Sequence, residues 1–160
     1  MGDETMWIGG EWVASTDGAT SDVLNPATGE LMATVPRATV EDVNRSVSAS
    51  REAFNNSDWK NMDPAQRGRI LNKMAAVTYA KAKELAVIES SNNGKTFREA
   101  LSEIRYGAWT LEYFAGLSDK IEGKTIPVPG PRLNYTLRQP LGVTVHIVPW
   151  NFPLQLALRS

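Results

Sequence analysis

Hydrophobic and polar positions along this chain follow three rhythms in succession. The first is an alternation broken by turn residues. Met6 to Val13 (MWIGGEWV) predicts a hairpin that turns at Gly9-Gly10. SDVLNPATGELMATVP predicts a second hairpin, with Asn25-Pro26-Ala27-Thr28-Gly29 at its tip and Pro36 closing its second strand. The second rhythm is helical. Thr39 is placed to cap a helix, with Glu41 and Asp42 in its first turn and Val40, Val43, Val47 and Phe54 on one face. Asp63-Pro64-Ala65-Gln66 combines an N-cap acid, proline at N1 and glutamine at N3. Behind it Ile70, Leu71, Met74, Val77, Leu85 and Ile88 keep a helical period until Asn92-Asn93-Gly94 stops the run. Thr96 with Glu99 starts a third helix, with Phe97, Leu101, Ile104, Ala108, Leu111 and Ala115 as its apolar face.

After Gly123 the rhythm changes again. IPVPGP reads as a rigid extended connector, and Leu133 to Arg138 alternates like a half-exposed strand before Pro140 and Gly142 break it. Val143 to Val148 is nearly continuous apolar, as in a strand covered on both faces of a parallel sheet. Such a strand needs parallel neighbours joined by long crossovers, and none follows before Ser160. The pattern therefore predicts the front part of a larger α/β protein. An antiparallel core strand completing a small α+β domain fits the same pattern, and both readings stand on pattern alone.

Composition narrows the chemistry. The 160 residues are 42% apolar, enough for a packed core. With 17 Lys+Arg against 18 Asp+Glu there is no basic excess to hold nucleic acid. The chain has no cysteine and one histidine, which excludes disulfides, a thiolate nucleophile and Cys-type metal sites within it, and no metal site is expected. The acidic start MGDETMW lacks the apolar region of a signal peptide, and Met6 stands where a myristoylation motif needs Ser or Thr. No run approaches the length of a membrane span, so the expected location is the cytoplasm.

One short stretch carries candidate chemistry. Pro149-Trp150-Asn151-Phe152-Pro153 follows the apolar run where a sheet strand would emerge, and ligands of open α/β sheets bind beyond the carboxyl ends of strands. A carboxamide there can donate to a developing oxyanion. Equally, Asn151 can cap a helix through Leu154 to Leu158, with Pro153 in the first turn.

HIVPWNFPLQLAL resembles the strand and turn that mark the NAD(P)-dependent aldehyde dehydrogenase superfamily. IGGEWV, NPATGELMATVP, WKNMDPAQRGRIL, IESSNNGK and IEGKTIPVPGPRLNYTLRQPLGV resemble further segments of that family, in the right order over nearly the whole chain. The resemblance implies an α/β fold of which this chain is the N-terminal portion. Residues 1–123 would be the hairpins and helices of the cofactor-binding domain, 124–141 a segment of the oligomerisation arm, and 142–160 the first strand and turn of a Rossmann-like sheet.

The implied reaction is oxidation of an aldehyde to a carboxylic acid, with hydride passing to NAD or NADP. A cysteine thiolate attacks the aldehyde to give a thiohemiacetal, hydride transfer gives a thioester, and a glutamate-activated water hydrolyses it. By resemblance, Asn151 is the oxyanion-hole carboxamide. Ile147, Val148, Pro149 and Trp150 contact the cofactor, mostly through backbone atoms. A small aldehyde and further copies of the chain, as a dimer or tetramer, are the implied partners. The cysteine, the glutamate base, the ribose-binding lysine and the Gly-rich turn of the family would lie beyond Ser160, so the 160 residues alone are expected to be inactive. Many relatives carry Asp at the position of Asn92, beside carbonyls matching Val23 and Leu24, in a monovalent cation site. Asn92 puts that site in doubt here. A rival of a different class is a non-catalytic short form that pairs with full-length subunits through its oligomerisation strand.

The remaining chemistry-bearing residues have plainer expectations. His146 should be a satisfied core residue, and Glu84 and Glu89 solvated surface. Trp7, Trp12 and Trp59 should serve packing, and Trp109, beside the apolar face of the third helix, should make a core or helix–helix contact. Arg132 and Arg138 should lie on a solvated strand face or pair across subunits.

Overall fold

Two consecutive glycines at positive φ, Gly9 at 64° and Gly10 at 93°, make the tight turn that strand twist favours. They join β1 (Met6–Ile8) to β2 (Glu11–Val13). In the computed structural model, which describes residues 5–56 and 58–159, Trp7 faces Trp12 across this hairpin with ring centroids 4.8 Å apart. Both rings are more than half exposed, so they cover each other rather than a core. The Met1–Glu4 stretch of the acidic start lies outside the described residues.

The second hairpin pairs β3 (Thr20–Leu24) with β4 (Leu31–Pro36), with a bulge between Val23 and Leu24. Its tip closes as the residue types demand. Asn25 Oδ1 accepts from the Ala27 N–H at 2.9 Å, and the Asn25 carbonyl accepts from the Gly29 N–H at 2.7 Å.

Thr39 caps α1 (Val40–Asn56) through a reciprocal box. The Asp42 N–H donates to Thr39 Oγ1 at 3.3 Å, and the Thr39 N–H donates back to Asp42 Oδ2 at 2.9 Å. Asp42 does more than complement the helix dipole. It is 1% exposed and also accepts from the Thr16 N–H at 3.1 Å and the Thr16 hydroxyl at 2.6 Å, which pins the segment between the hairpins to α1. The bond from the Thr16 hydroxyl, with the backbone bond from Thr39, holds its carboxyl well below the usual carboxylate range. A depressed folded-state pKa stabilises the fold above the ordinary aspartate value of 3.8, and that stabilisation drains away as pH falls below it. Asp42→Asn should therefore lower Tm at pH 7 by about 5 °C or more. The gap from wild type should narrow below pH 3.8 in a calorimetric pH series; a gap independent of pH would contradict this role. The apolar face expected on α1 is real but uncovered: Val40, Val43 and Val47 are all exposed.

A short helix, α2 (Asp58–Asn61), leads to α3 (Pro64–Ala80), where Asp63 Oδ1 accepts from the Ala65 N–H at 2.8 Å. The long apolar period read from the sequence is divided at Lys81, and α4 (Ala82–Asn93) follows. Gly94, with φ 80°, ends α4 in the left-handed conformation that glycine adopts without penalty. Thr96 and Glu99 form the expected capping box on α5 (Phe97–Leu117).

The core lies where α4 and α5 meet. Ala82, Ala86, Ala100 and Ile104 are buried together, with Leu85, Leu101 and Leu154 packed against them. Small residues there let the helices approach closely. α3 approaches α5 at Gly68, where a Cβ would stand 2.7 Å from the Ala115 carbonyl oxygen. On the other face of α5, Trp109 stacks between Tyr106 and Tyr113 and is about half exposed. Of the core or helix–helix contact expected of Trp109, the core alternative is corrected: position 109 is off the stripe that Ile104, Ala108 and Leu111 bury. Trp59 is likewise exposed.

Beyond α5 the chain extends. β5 (Thr125–Ile126) pairs antiparallel with β6 (Asn134–Tyr135), shorter than the alternation suggested, and residues 131–140, including Arg132 and Arg138, are exposed. A Cβ on Gly123 would stand 1.9 Å from the Thr136 carbonyl oxygen, so glycine is required where this hairpin begins. The three sheets described are two-stranded and antiparallel. Val143 to Val148 forms neither helix nor strand and takes no strand partner among the described residues. The burial expected of it is therefore absent: Val145 and Ile147 are largely exposed. His146 is corrected from a core residue to an exposed one, its Nε2 2.8 Å from Thr144 Oγ1. A strand is buried by neighbours on both sides, and no segment among the described residues supplies them. Among the described residues, no helix is long and apolar enough to cross a membrane.

Candidate functional site: the Pro149–Pro153 turn

Pro153 decides the local geometry of the turn. It is the first residue of α6 (Pro153–Arg159), where its missing N–H costs nothing. A residue before proline is driven out of helical conformation, so Phe152 takes the cap position. Its carbonyl accepts the first intrahelical bond, from the Leu156 N–H at 3.0 Å. This corrects the alternative in which Asn151 caps the helix. Asn151 sits one residue earlier, exposed, and no hydrogen bond is described for its carboxamide. The group is left unspent by the local structure.

α6 is held against α5 at two points. Leu154 joins the edge of the alanine-rich core. Gly107 opens a notch for Leu158 and the backbone at Gln155: a Cβ there would stand 3.0 Å from Leu158 Cδ1 and 3.5 Å from Gln155 Cα. Beside this contact Ser102, Glu103, Tyr106 and Gln155 line an open cleft of about 240 Å³.

The turn itself is tied down by a cluster that sequence reading missed. The Lys95 ammonium lies 3.0 Å from Glu89 Oε1, in contact with Glu103 Oε2, and 2.5 Å from the backbone carbonyl of Asn151. It also sits over the Phe152 ring, 4.8 Å from the centroid. The three charged side chains are 14%, 5% and 15% exposed for Lys95, Glu89 and Glu103. Glu89, expected on the surface, is thus a buried member of an ion triad, whereas Glu84 is exposed beside Lys81 as expected. Burial is the largest influence on the Glu89 carboxyl and pushes its pKa up, partly offset by Lys95. Burial opposes the Lys95 charge, but the hydrogen bonds to Glu103 and Glu89 outweigh it and hold its pKa above the ordinary lysine value. No spacing rule links positions 89, 95 and 103. The turn at Gly94 folds α5 back on α4 and brings them together. The one legible signal was Glu103, whose neighbours Ala100 and Ile104 mark the inward side of α5.

The residues matched to cofactor contact form an open stretch of backbone. Ile147 and Trp150 are 93% and 72% exposed, Pro149 is exposed and Val148 is half-buried. No ladder occupies their N–H and C=O groups among the described residues, which leaves them available to a bound molecule. Asn92 is exposed at the end of α4, and Gly94 there abuts Pro26, with 3.1 Å from a Cβ at 94 to Pro26 Cγ. Nearby Asn93 buries its Nδ2 without a partner among the described residues, and an amide N–H donor cannot ligate a cation. Two further cavities border α1, away from the turn. One of about 580 Å³ separates the β1–β2 hairpin from α1, and one of about 320 Å³ lies between α1 and Val143–His146. Their linings mix apolar residues with polar ones, Glu52 and Asn56 in the first and Asp42, Thr144 and His146 in the second, and neither includes any residue of 149–153.

Residues 12–160 match the model of the aldehyde dehydrogenase family. Over 155 residues the chain is 43% identical to aldehyde dehydrogenase 1A1 of Ovis aries, covering 96% of this chain and 31% of that protein. Its structure is similar to the crystal structure of the NAD-dependent aldehyde dehydrogenase of Sinorhizobium meliloti, with TM-score 0.93 and 38% identity, over 98% of this chain and 32% of the other. It is also similar to betaine aldehyde dehydrogenase of Staphylococcus aureus, solved in complex with NAD+, with TM-score 0.93 and 34% identity over 97% and 31% of the two chains. The chain thus spans about a third of the length of these relatives.

Proposed function

Because the chain belongs to the aldehyde dehydrogenase family, we propose that it is the N-terminal segment of an enzyme that oxidises an aldehyde to a carboxylic acid with NAD or NADP. The observation that carries the reading is the unspent, exposed carboxamide of Asn151 at the head of α6. Asn151 donates an N–H to the aldehyde oxygen as a thiolate from outside this chain adds to the carbonyl carbon. That oxygen gains negative charge during the addition, and a fixed amide dipole stabilises it without reorganisation. NAD or NADP, when bound, supplies the hydride acceptor. The open backbone at Ile147, Val148 and Trp150 offers N–H and C=O groups to it, and Pro149 offers a carbonyl alone. The residues present fit that role, since these groups carry no ladder bonds.

Residues 142–160 act in this reading as the first strand and turn of the cofactor sheet, and residues 124–141 as part of the arm that joins subunits. The exposed β5–β6 hairpin, whose strands bury no residue against this chain, supports the second assignment.

Two measurements test the proposal. The intact mass of the protein from its native source should lie well above 17.6 kDa. That protein should form NADH or NADPH from an aldehyde panel, read at the nicotinamide absorbance. A native mass of 17.6 kDa overturns the enzyme reading and favours a short form that pairs with full-length subunits through β5–β6.

A further inference from the structure

An ammonium group has three N–H donors, and Lys95 faces three acceptors: Glu89, Glu103 and the Asn151 carbonyl. The first two belong to α4 and α5, the helices whose contact forms the buried core. The third belongs to the turn. Among the described residues, this is the hydrogen bond that ties residues 149–153 to another element. The same ammonium rests on the ring of Phe152, so both sides of the peptide between Asn151 and Phe152 are gripped. A charge-assisted bond is stronger and shorter than a neutral one. With the Asn151 backbone fixed, its carboxamide has only two side-chain torsions left to set.

We propose that Lys95, anchored between Glu89 and Glu103, is a positioning residue that aims the Asn151 carboxamide by holding the Asn151 carbonyl and the Phe152 ring. This rests on the reading of Asn151 as the oxyanion donor. Lys95 touches no reacting atom; it acts through the turn.

A double-mutant cycle in the complete enzyme tests it. Lys95→Met should lower kcat ~10–100-fold, as expected for a misplaced catalytic group, with little change in cofactor Kd. In an Asn151→Ala background the same substitution should cost less than about threefold, because the group it aims is gone. An equal fall in both backgrounds overturns the proposal and leaves Lys95 a general stabiliser. Lys95→Met strands two buried carboxylates, so the neutral combination Lys95→Met, Glu89→Gln and Glu103→Gln provides a second variant, with the same non-additivity expected. Crystal structures of the complete enzyme give a readout free of activity: the Asn151 and Phe152 backbone should shift or lose order in Lys95→Met while α5 keeps its place. An unmoved turn overturns the clamp whatever the kinetics. A wild-type enzyme that oxidises no aldehyde overturns the functional reading instead, and with it the catalytic consequence drawn here.

Discussion

Asn151→Ala in the complete enzyme should lower kcat for aldehyde oxidation by about 100- to 1,000-fold, the usual loss when one oxyanion donor is removed. Cofactor Kd should hardly change, because the neighbouring residues would meet the cofactor through backbone that the substitution leaves in place. Stability should hardly change either. Asn151 is not the cap of α6, its side chain is exposed, and the contacts that hold the turn come from its carbonyl and from Phe152. This separation is what makes the experiment decisive. Had Asn151 been the N-cap, losing it would have frayed α6 and mixed a folding defect into the kinetics. Steady-state kinetics with a saturating aldehyde, alongside cofactor titration, reads both quantities. Wild-type turnover in the variant would end the oxyanion role.

Ile104→Ala should destabilise the protein by ~3 kcal/mol, within the range for deleting a buried aliphatic side chain. Ile104 is 1% exposed and is the one large side chain among Ala82, Ala86 and Ala100. The neighbouring alanines cannot swing into the space an isoleucine leaves, so only shifts of the partly buried Leu85, Leu101 and Leu154 would recover part of the cost. The vacancy would also lie next to Glu103 and beneath Leu154, which seats α6. Urea unfolding should show the loss as a lower midpoint. A shift worth less than about 1 kcal/mol would mean that the α4–α5 contact is looser than it stands here.

Local structure was legible to the degree that it is local. Both hairpin tips, the caps at Thr39, Asp63 and Thr96 and the stop at Gly94 follow from residue type, because each is settled within about four residues by φ preferences and short hydrogen bonds. Even there tertiary contact added something. Asp42 reads as a first-turn acid, yet its bonds to Thr16 span 26 positions and bury it. The division at Lys81 was not legible, since apolar period runs through it unbroken. The turn at Asn151 was legible as a place where chemistry could sit. Which residue capped the following helix was decided by Pro153, a local rule whose outcome needed the backbone to show it.

By itself, the amino-acid sequence determined the order and type of most elements, the lack of a thiol nucleophile and the resemblance to a family whose model the chain matches. Periodicity and turn chemistry act over a few residues, and a stretch of sequence holds all of that information. Only the tertiary structure decided that Glu89 is buried, that Lys95 joins it to Glu103, and that this triad grips the turn 56 positions away. Only the structure decided, too, that α1 and Val143–Val148 carry apolar faces without cover. A charge becomes buried, or an apolar face stays bare, according to which distant segment lands on it. Long-range packing settles that outcome, and no local pattern encodes it.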